Sequence, residues 1–292
     1  MKKKSSLKRK NIWDYLNIIL MVCICISILY PFLYVFKQSI SASESYNISL
    51  SLIPDGVSLE AYRKVFKNEF IVYGFFNTFR RTLIGTPLTM IVTILAAYPL
   101  SKPQLPHRTI ITAFFVFTMF FDGGLIPNYL VVNATGLIDT FWALVIPRLV
   151  DTFNLIILRN YFMSIPTSLE ESAKIDGAGD LRILAQIILP VSLPILATVG
   201  LWTIVNHWNW WFDSLIYIQD ARGHVLQTVL RRIILEGTTQ MMDQSGFTDD
   251  VPTNPDNLKG AVIMVTTIPI VCVYPFLQKY FVKGIMVGSL KG

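Results

Sequence analysis

The hydrophobic positions of this chain form long runs instead of the short periodic patterns of a soluble fold. Four runs of 19 to 30 residues contain no lysine, arginine, aspartate or glutamate: 15–36, 82–101, 183–212 and 260–278. About 20 apolar residues in a helix cross the roughly 30 Å hydrocarbon layer of a bilayer. The runs therefore predict membrane-spanning helices, and the fold class is predicted to be an all-α polytopic membrane protein.

Two further apolar stretches contain a few charges. The first, 109–132, includes Asp122 beside two glycines, and the second, 141–162, includes Arg148 and Asp151. Charges are costly in lipid, so these residues should face protein or a wet cavity. Arg148 and Asp151 are interpreted as a mutually neutralising pair, with substrate contact as the alternative. Together the runs predict six transmembrane helices, at 13–36, 78–100, 110–132, 140–162, 191–215 and 260–281.

Composition and charge agree with a membrane protein. Of 292 residues, 53% are hydrophobic and only 15% are charged, whereas soluble domains have nearer a quarter charged. The net charge of +6 includes six basic residues in the first ten, "MKKKSSLKRK". The positive-inside rule places this end in the cytosol, and six crossings return the C-terminus there. A cleaved signal peptide is the alternative for the N-terminus, and no basic nucleic-acid footprint is present.

A polar segment, 163–190, interrupts the chain between the fourth and fifth predicted spans. Within it, residues 165–190, "IPTSLEESAKIDGAGDLRILAQIILP", predict two short helices around a hinge. Ser168 and Glu171 have the spacing of a capping box at the start of the first helix. Glycines at 177 and 179 favour a sharp corner, after which Asp180 begins the second helix. The segment is predicted to be a helix hairpin on the cytosolic side.

The spacing within this hairpin resembles the signature E-A-A-x3-G-x9-I-x-L-P of binding-protein-dependent ABC importer permeases, with serine for the first alanine. The resemblance implies a type I ABC importer permease fold with six transmembrane helices and a cytosolic coupling helix. Glu171 would make polar contact with the ATPase, Ala173 would permit close approach, and Gly177 would form the corner. The ATPase-coupling residues that the resemblance implies are Glu170, Glu171, Ala173, Asp176, Gly177, Leu189 and Pro190.

Other stretches, such as "GGLIPNYLVVNATGLIDTFWALVIP" and "HWNWWFDSLIYI", are similar to the carbohydrate-importing, maltose-type branch and its oligosaccharide-importing relatives. This implies a second homologous permease, a cytosolic ABC ATPase dimer and an extracytoplasmic sugar-binding protein as partners, in a bacterial cytoplasmic membrane. ATP and Mg²⁺ would belong to the ATPase, with no cofactor in this chain. The expected organisation is a basic cytosolic N-terminus (1–12) and one permease domain (13–292), with a coupling loop (163–190) and an extracytoplasmic loop (216–258).

The fifth predicted span combines aromatic rings with amide and carboxylate groups in "LWTIVNHWNWWFDSLIY". Sugars stack their C–H faces on aromatic rings and need hydrogen-bond partners for their hydroxyls. An aromatic belt at the bilayer interface is the alternative interpretation. Short helices predicted at 58–66 and 225–236 would lie on the membrane surface or contribute to docking of the binding protein. The substrate-pathway candidates are Trp202, Asn206, Trp208, Asn209, Trp210, Asp213, Tyr129 and Asn154.

Several functions are disfavoured by what the sequence lacks. No Gly-x4-Gly-Lys-Ser/Thr phosphate loop occurs, so the chain is not itself the ATPase. Ser/His/Asp arrangements and metal-ligand spacings are absent as well. The prediction is a non-enzymatic subunit that forms the pathway for a carbohydrate, an oligosaccharide in particular. Alternatives are an ion-coupled secondary transporter, an ABC permease for a non-sugar solute and an intramembrane enzyme.

Overall fold

The computed structural model describes residues 12–42, 51–54, 56–235 and 254–289, the last with side chains to residue 272 and at 275. In these ranges the regular elements are helices, apart from one isolated bridge between Ser41 and Val57, which confirms the all-α prediction. The α-helices are α1 (Ile12–Ile40), α2 (Glu60–Lys67), α3 (Glu69–Ser101), α4 (Arg108–Phe120), α5 (Leu125–Ala134), α6 (Thr152–Met163), α7 (Thr167–Ile175), α8 (Asp180–Ile183), α9 (Leu189–Val191), α10 (Leu193–Asn209), α11 (Phe212–Tyr217), α12 (Leu226–Leu235) and α13 (Pro255–Ser289).

Shorter helical turns complete the description. Three 3-10 helices span Phe141–Leu144, Ile146–Arg148 and Ala221–Gly223, and a π-helical turn spans Leu184–Ile188. The chain divides into two compact units, Met1–Lys67 with Phe247–Val265, and Asn68–Gly246 with Thr266–Gly292. The organisation into a single permease domain from 13 to 292 stays a prediction.

The first unit contains α1, α2 and the first turns of α13. A Cβ atom on Gly260 would lie 3.1 Å from both the Ser39 nitrogen and the Val35 oxygen, so glycine permits close contact with α1. The Ser39 hydroxyl lies 2.8 Å from the Tyr62 hydroxyl of α2. Asn257 Nδ2 donates to the Ser41 oxygen at 2.9 Å. Packing of small residues and side-chain hydrogen bonds therefore hold this unit together, as expected for helices in lipid.

Helix α3 is central to the second unit, where it packs on α6, α10 and α12. Its buried residues include small side chains four positions apart, so they lie along one face of the helix. Small residues let neighbouring helix backbones approach closely. At Gly85 a Cβ atom would lie only 2.7 Å from Cε1 of His207 on α10. The small members of this stripe are Gly74, Thr78, Gly85, Thr89, Thr93 and Ala97.

The helix boundaries correct several predicted spans. Helices α1 and α3 are long and apolar enough to cross a membrane. Three other spans are bent pairs: α4 with α5 at 117°, 141–148 with α6 at 47°, and 180–191 with α10 at 86°. Continuous helices at 110–132, 140–162 and 191–215 are therefore wrong predictions. Counting each pair once gives up to five spans in the described residues; α13 contains the predicted 260–281 span, and six crossings stay a prediction.

Local hydrogen bonds explain the first two breaks. Between α4 and α5, Asp122 Oδ1 accepts from the Gly124 nitrogen at 3.0 Å and from Asn128 Nδ2 at 3.2 Å. Gly124 has φ of +86°, a left-handed conformation that glycine adopts without strain. Before α6, Asp151 caps the helix by accepting from the Asn154 nitrogen at 3.1 Å. Both aspartates therefore shape the backbone at a helix end.

The break after α10 occurs at Trp210, which is extended with φ of −74° and ψ of 124°. Its N–H still donates to the Asn206 oxygen at 3.0 Å, but its carbonyl accepts from Arg81 Nη1 at 2.9 Å. A backbone carbonyl in apolar surroundings needs a partner. Arg81 on α3 supplies that partner, so a side chain far away in sequence permits the helix to end here.

Candidate functional site

The 163–190 segment folds as the predicted helix hairpin. Helix α7 ends at Ile175, and Gly177 forms the corner with φ of +78°. The capping box is a wrong prediction, because α7 begins at Thr167, directly after Pro166, so that Ser168 lies inside its first turn. Proline at the helix start needs no N–H partner, which lets the helix begin two residues earlier than the capping box implies.

The inner side of this hairpin packs on the chain itself. Ala173 is 8% exposed and belongs to an apolar cluster with Ala97, Leu158 and Ile188. Leu189 is partly buried against the same cluster. The small side chain of Ala173 therefore allows α7 to lie close to the chain's own membrane helices.

An ion pair fixes α7 to the end of α3. Glu170 Oε1 pairs with Nζ of Lys102, and the two side chains are 13% and 23% exposed. The same Nζ lies 4.3 Å from the centre of the Tyr98 ring, which adds a cation–π contact. Glu170, one of the predicted coupling residues, thus has a partner within this chain.

The outer side of the hairpin remains open in the described chain. Of the predicted coupling residues, Glu171, Asp176, Gly177 and Pro190 are exposed. Ile175, at 86% exposure, projects an apolar side chain beside these acids. We call this surface, with the similarly exposed Leu169 and Leu181, the hairpin surface.

A cavity of about 950 Å³ lies in the second unit, within the size range of pockets that hold a small ligand. Its walls come from α3 to α6, α10 and α11, including residues beside the α4–α5 break, the break before α6 and the end of α10. Four substrate-pathway candidates line it: Asn154, Asn206, Trp210 and Asp213. The bent spans therefore line a cavity whose walls carry both polar and apolar side chains.

The other four candidates lie outside the cavity lining. Trp202 packs against Phe153, with ring centres 5.9 Å apart. Trp208 is buried and donates through Nε1 to the Thr266 oxygen at 3.1 Å. Asn209 Oδ1 lies 3.5 Å from Gln227 Nε2, and Tyr129 stacks on Tyr217 at 6.3 Å. These contacts support the fold of the second unit and leave the substrate role of each residue a prediction.

Charged residues that the sequence assigned elsewhere also line the cavity. Arg148 does not pair with Asp151: its guanidinium carbon lies 3.3 Å from the centre of the Trp210 ring, while Asp151 caps α6. The neutralising-pair interpretation is therefore wrong, because the helix break at Asp151 separates the two side chains. Arg81, which lies near the start of the span predicted at 78–100, forms a buried ion pair with Asp213.

Segment 218–235 packs against α3 in the second unit. Its helix α12 confirms the predicted short helix at 225–236, as α2 does for 58–66. The stripe of Val225, Val229 and Ile233 is buried, and the Leu226 nitrogen donates to Thr78 Oγ1 of α3 at 2.8 Å. The predicted loop 216–258 also includes residues 236–253, which lie outside the described residues, as do 1–11.

Comparisons with known proteins give a consistent result. The sequence model of a family described as "Binding-protein-dependent transport system inner membrane component" matches residues 8–287. The polygalacturonan/rhamnogalacturonan transport system permease protein YtcP of Bacillus subtilis (strain 168) is 40% identical over 96% of this chain and 97% of its own. The trehalose/maltose transport system permease protein MalG of Thermococcus litoralis is 28% identical over 97% and 98%.

A solved structure agrees with the sequence relatives. A chain of a bacterial ABC transporter involved in the import of the acidic polysaccharide alginate has a TM-score of 0.85 and 31% identity, covering 96% of this chain and 100% of that one. A second alginate transporter chain, at 15% identity and a TM-score of 0.52, shares the fold. This chain therefore belongs to the family of inner membrane components of binding-protein-dependent transport systems.

Proposed function

We propose that this chain is one transmembrane subunit of an ABC importer and forms part of the pathway for an oligosaccharide. The observation that supports this most is the cavity between the bent spans, with Trp210, Asn154 and Asn206 in its lining. An indole ring offers a stacking surface and amides offer both donors and acceptors for hydroxyl groups. Relatives named for polygalacturonan and trehalose/maltose transport point to the same class of solute.

We further propose that the hairpin surface binds a separate cytosolic ATPase. The hairpin surface combines exposed acids with exposed apolar side chains. Exposed apolar patches with polar rims often mark protein–protein contact sites, because binding removes the apolar groups from water. The Glu170–Lys102 pair and the buried Ala173 join the hairpin to α3 and the core. A push on the hairpin would therefore reach the cavity walls as a rigid-body movement.

The remaining partners follow from the same proposal. A second, homologous permease would complete the pathway, and an extracytoplasmic binding protein would deliver the sugar. Both termini would lie in the cytosol of a bacterial cell. ATP and Mg²⁺ would act on the ATPase, so this chain would provide no catalytic group. The coupling residues keep the role assigned from the sequence, except that Glu170 and Ala173 would act by attaching the hairpin to the membrane helices of this chain.

Reconstitution of the complete importer tests this function. The complex is placed in proteoliposomes with its loaded binding protein, and uptake of a panel of oligosaccharides is measured with and without ATP. Uptake that requires ATP and is lost in Glu171→Ala, with normal assembly, supports the proposal. Arg182→Ala, another exposed change in the same segment, is the matched control. Uptake that follows an ion gradient without ATP would contradict it and favour a secondary transporter, and ATP-driven uptake of a non-sugar solute alone would contradict the choice of substrate.

A further inference from the structure

The cavity contains an arginine whose side chain the fold itself does not use for pairing. Arg148 ends the short 3-10 helix Ile146–Arg148 and is exposed into the cavity. Its guanidinium lies over the Trp210 ring, with 3.3 Å between Cζ and the ring centre. Stacking of this kind holds the guanidinium in place and leaves its edge, with the N–H donors, open.

Within the described residues, the Arg148 side chain has no hydrogen bond and no ion pair within 4.0 Å. Three carboxylates line the same cavity, and each already has donors. Asp213 accepts from Arg81, Asp122 accepts from the α4–α5 turn, and Asp151 caps α6.

The charged side chains of the cavity therefore differ in how free they are to bind a ligand. The carboxylates shape the protein, whereas Arg148 presents a cation that cannot lose its proton in a protein. A guanidinium edge matches the two oxygens of a carboxylate, and such bidentate, charged hydrogen bonds are among the strongest that side chains form. Asn206 is exposed and lines the same cavity, so its amide can serve a sugar hydroxyl.

We propose that Arg148, held by Trp210, binds the carboxylate of a uronate residue, so that the transported oligosaccharide is acidic. The inference rests on the proposed function and narrows its substrate class. A neutral sugar in the same position would offer the guanidinium only hydroxyl groups, which bind it less strongly than a carboxylate does. Arg148 thus acts as a specificity-determining residue for a negatively charged saccharide.

The test compares uptake of tetragalacturonate and of neutral maltotetraose by the reconstituted importer, each with saturating loaded binding protein. In Arg148→Gln, uptake of tetragalacturonate should fall roughly ten- to a hundredfold, the range expected for a lost charged hydrogen bond. Arg148→Lys keeps the charge and should fall less. Arg80→Gln is the matched control, because Arg80 also stacks on a ring, Phe141 at 4.1 Å, but lies outside the cavity lining.

Each result decides the inference. Wild-type uptake of tetragalacturonate by Arg148→Gln, or an equal loss in the lysine and glutamine variants, overturns it. If the glutamine variant does not assemble, uptake by Arg148→Lys within about tenfold of wild type supports the inference and complete loss overturns it. Wild-type import of neutral saccharides alone overturns the role of Arg148 and leaves the sugar importer standing. Failure to import any saccharide would contradict the proposed function itself.

Discussion

Arg81 on α3 and Asp213 on α11 lie 132 residues apart in sequence and form an ion pair whose side chains are 0% and 6% exposed. Nη1 of Arg81 donates to Oδ1 of Asp213 at 3.1 Å and to the Trp210 carbonyl at 2.9 Å. Asp213 also accepts from the Ser214 nitrogen at 2.7 Å. One arginine thus satisfies both the broken end of α10 and the acid that follows it.

This pair should dominate the stability of the second unit. Replacing one member, in Arg81→Met or Asp213→Leu, leaves the other charge buried alone and should lower the free energy of unfolding by about 3–5 kcal/mol. The double variant Arg81→Met/Asp213→Leu should lose less than the sum of the two. Thermal unfolding of the purified protein in detergent measures the effect, with the exposed Arg80→Met as control. Single variants as stable as the control would show that the pair contributes little.

Close packing at Gly85 makes a second prediction. In Gly85→Ala the new methyl group would lie within 2.7 to 2.9 Å of three atoms of the His207 ring, so α3 and α10 would have to separate. Overpacking of this kind costs about 1–3 kcal/mol. Gly200→Ala on α10 meets no atom within 4 Å and should be neutral or slightly stabilising. Equal melting temperatures for the two variants would contradict the packing described here.

The Lys102–Glu170 pair should control how firmly α7 is held. In Glu170→Gln the attachment weakens by about 1 kcal/mol, since the pair is only partly buried. Hydrogen exchange of the α7 amides should then be faster, and the charge swap Lys102→Glu/Glu170→Lys should restore much of the protection. Lys174→Gln removes an exposed contact with Asp180 and is the control. Unchanged exchange in Glu170→Gln would show that apolar packing alone holds the helix.

His224 should make the stability of the 218–235 segment depend on pH. Its Nε2 lies 3.2 Å from Nη2 of Arg232, and its Nδ1 lies 3.2 Å from the Ser214 hydroxyl. Because a guanidinium can only donate, Nε2 accepts and the imidazole is neutral. Burial, and then the positive charge of Arg232, lower the pKa of His224 below its ordinary value, against smaller opposing effects of Ser214, Asp220 and Asp139.

The sign of the pH effect follows from this lowered pKa. The unfolded chain binds the proton with a pKa of about 6.5, and the folded chain resists it. The stabilisation is complete above about pH 6.5 and is lost as the pH falls below that value. The melting temperature should therefore drop between about pH 7.5 and pH 5, and His224→Gln should reduce the slope. His107→Gln, at an exposed histidine, is the control; an identical slope in both variants would contradict the prediction.

Features set by neighbouring residues in the chain could be predicted from sequence patterns. The hairpin with its corner at Gly177 and the short helix α12 follow from glycine placement and from the stripe at Val225 and Val229. The break at Gly124 had a visible signal in the adjacent Asp122, although the pattern of apolar residues favoured a continuous span. Local patterns indicate where a chain bends or buries a face.

The cavity depended on contacts between distant residues, which the sequence alone does not specify. Helix α10 ends before Trp210 without a proline or glycine, because Arg81 on another helix donates a hydrogen bond to the Trp210 carbonyl. From its spacing, Arg148 is expected to pair with Asp151, three residues later. In the structure, Asp151 instead caps the helix that begins at Thr152. Of the aromatic residues in the fifth span, only the three-dimensional path of the chain distinguishes Trp210 in the cavity from Trp208 in the core.

The contact between Gly85 and His207 has a consequence for how this protein can diverge. The imidazole occupies the space that any larger residue at position 85 would need. A larger residue at position 85 would therefore be accommodated best together with a smaller residue at position 207. The two positions are therefore expected to vary together, with a small side chain at one of them wherever the other carries a large one.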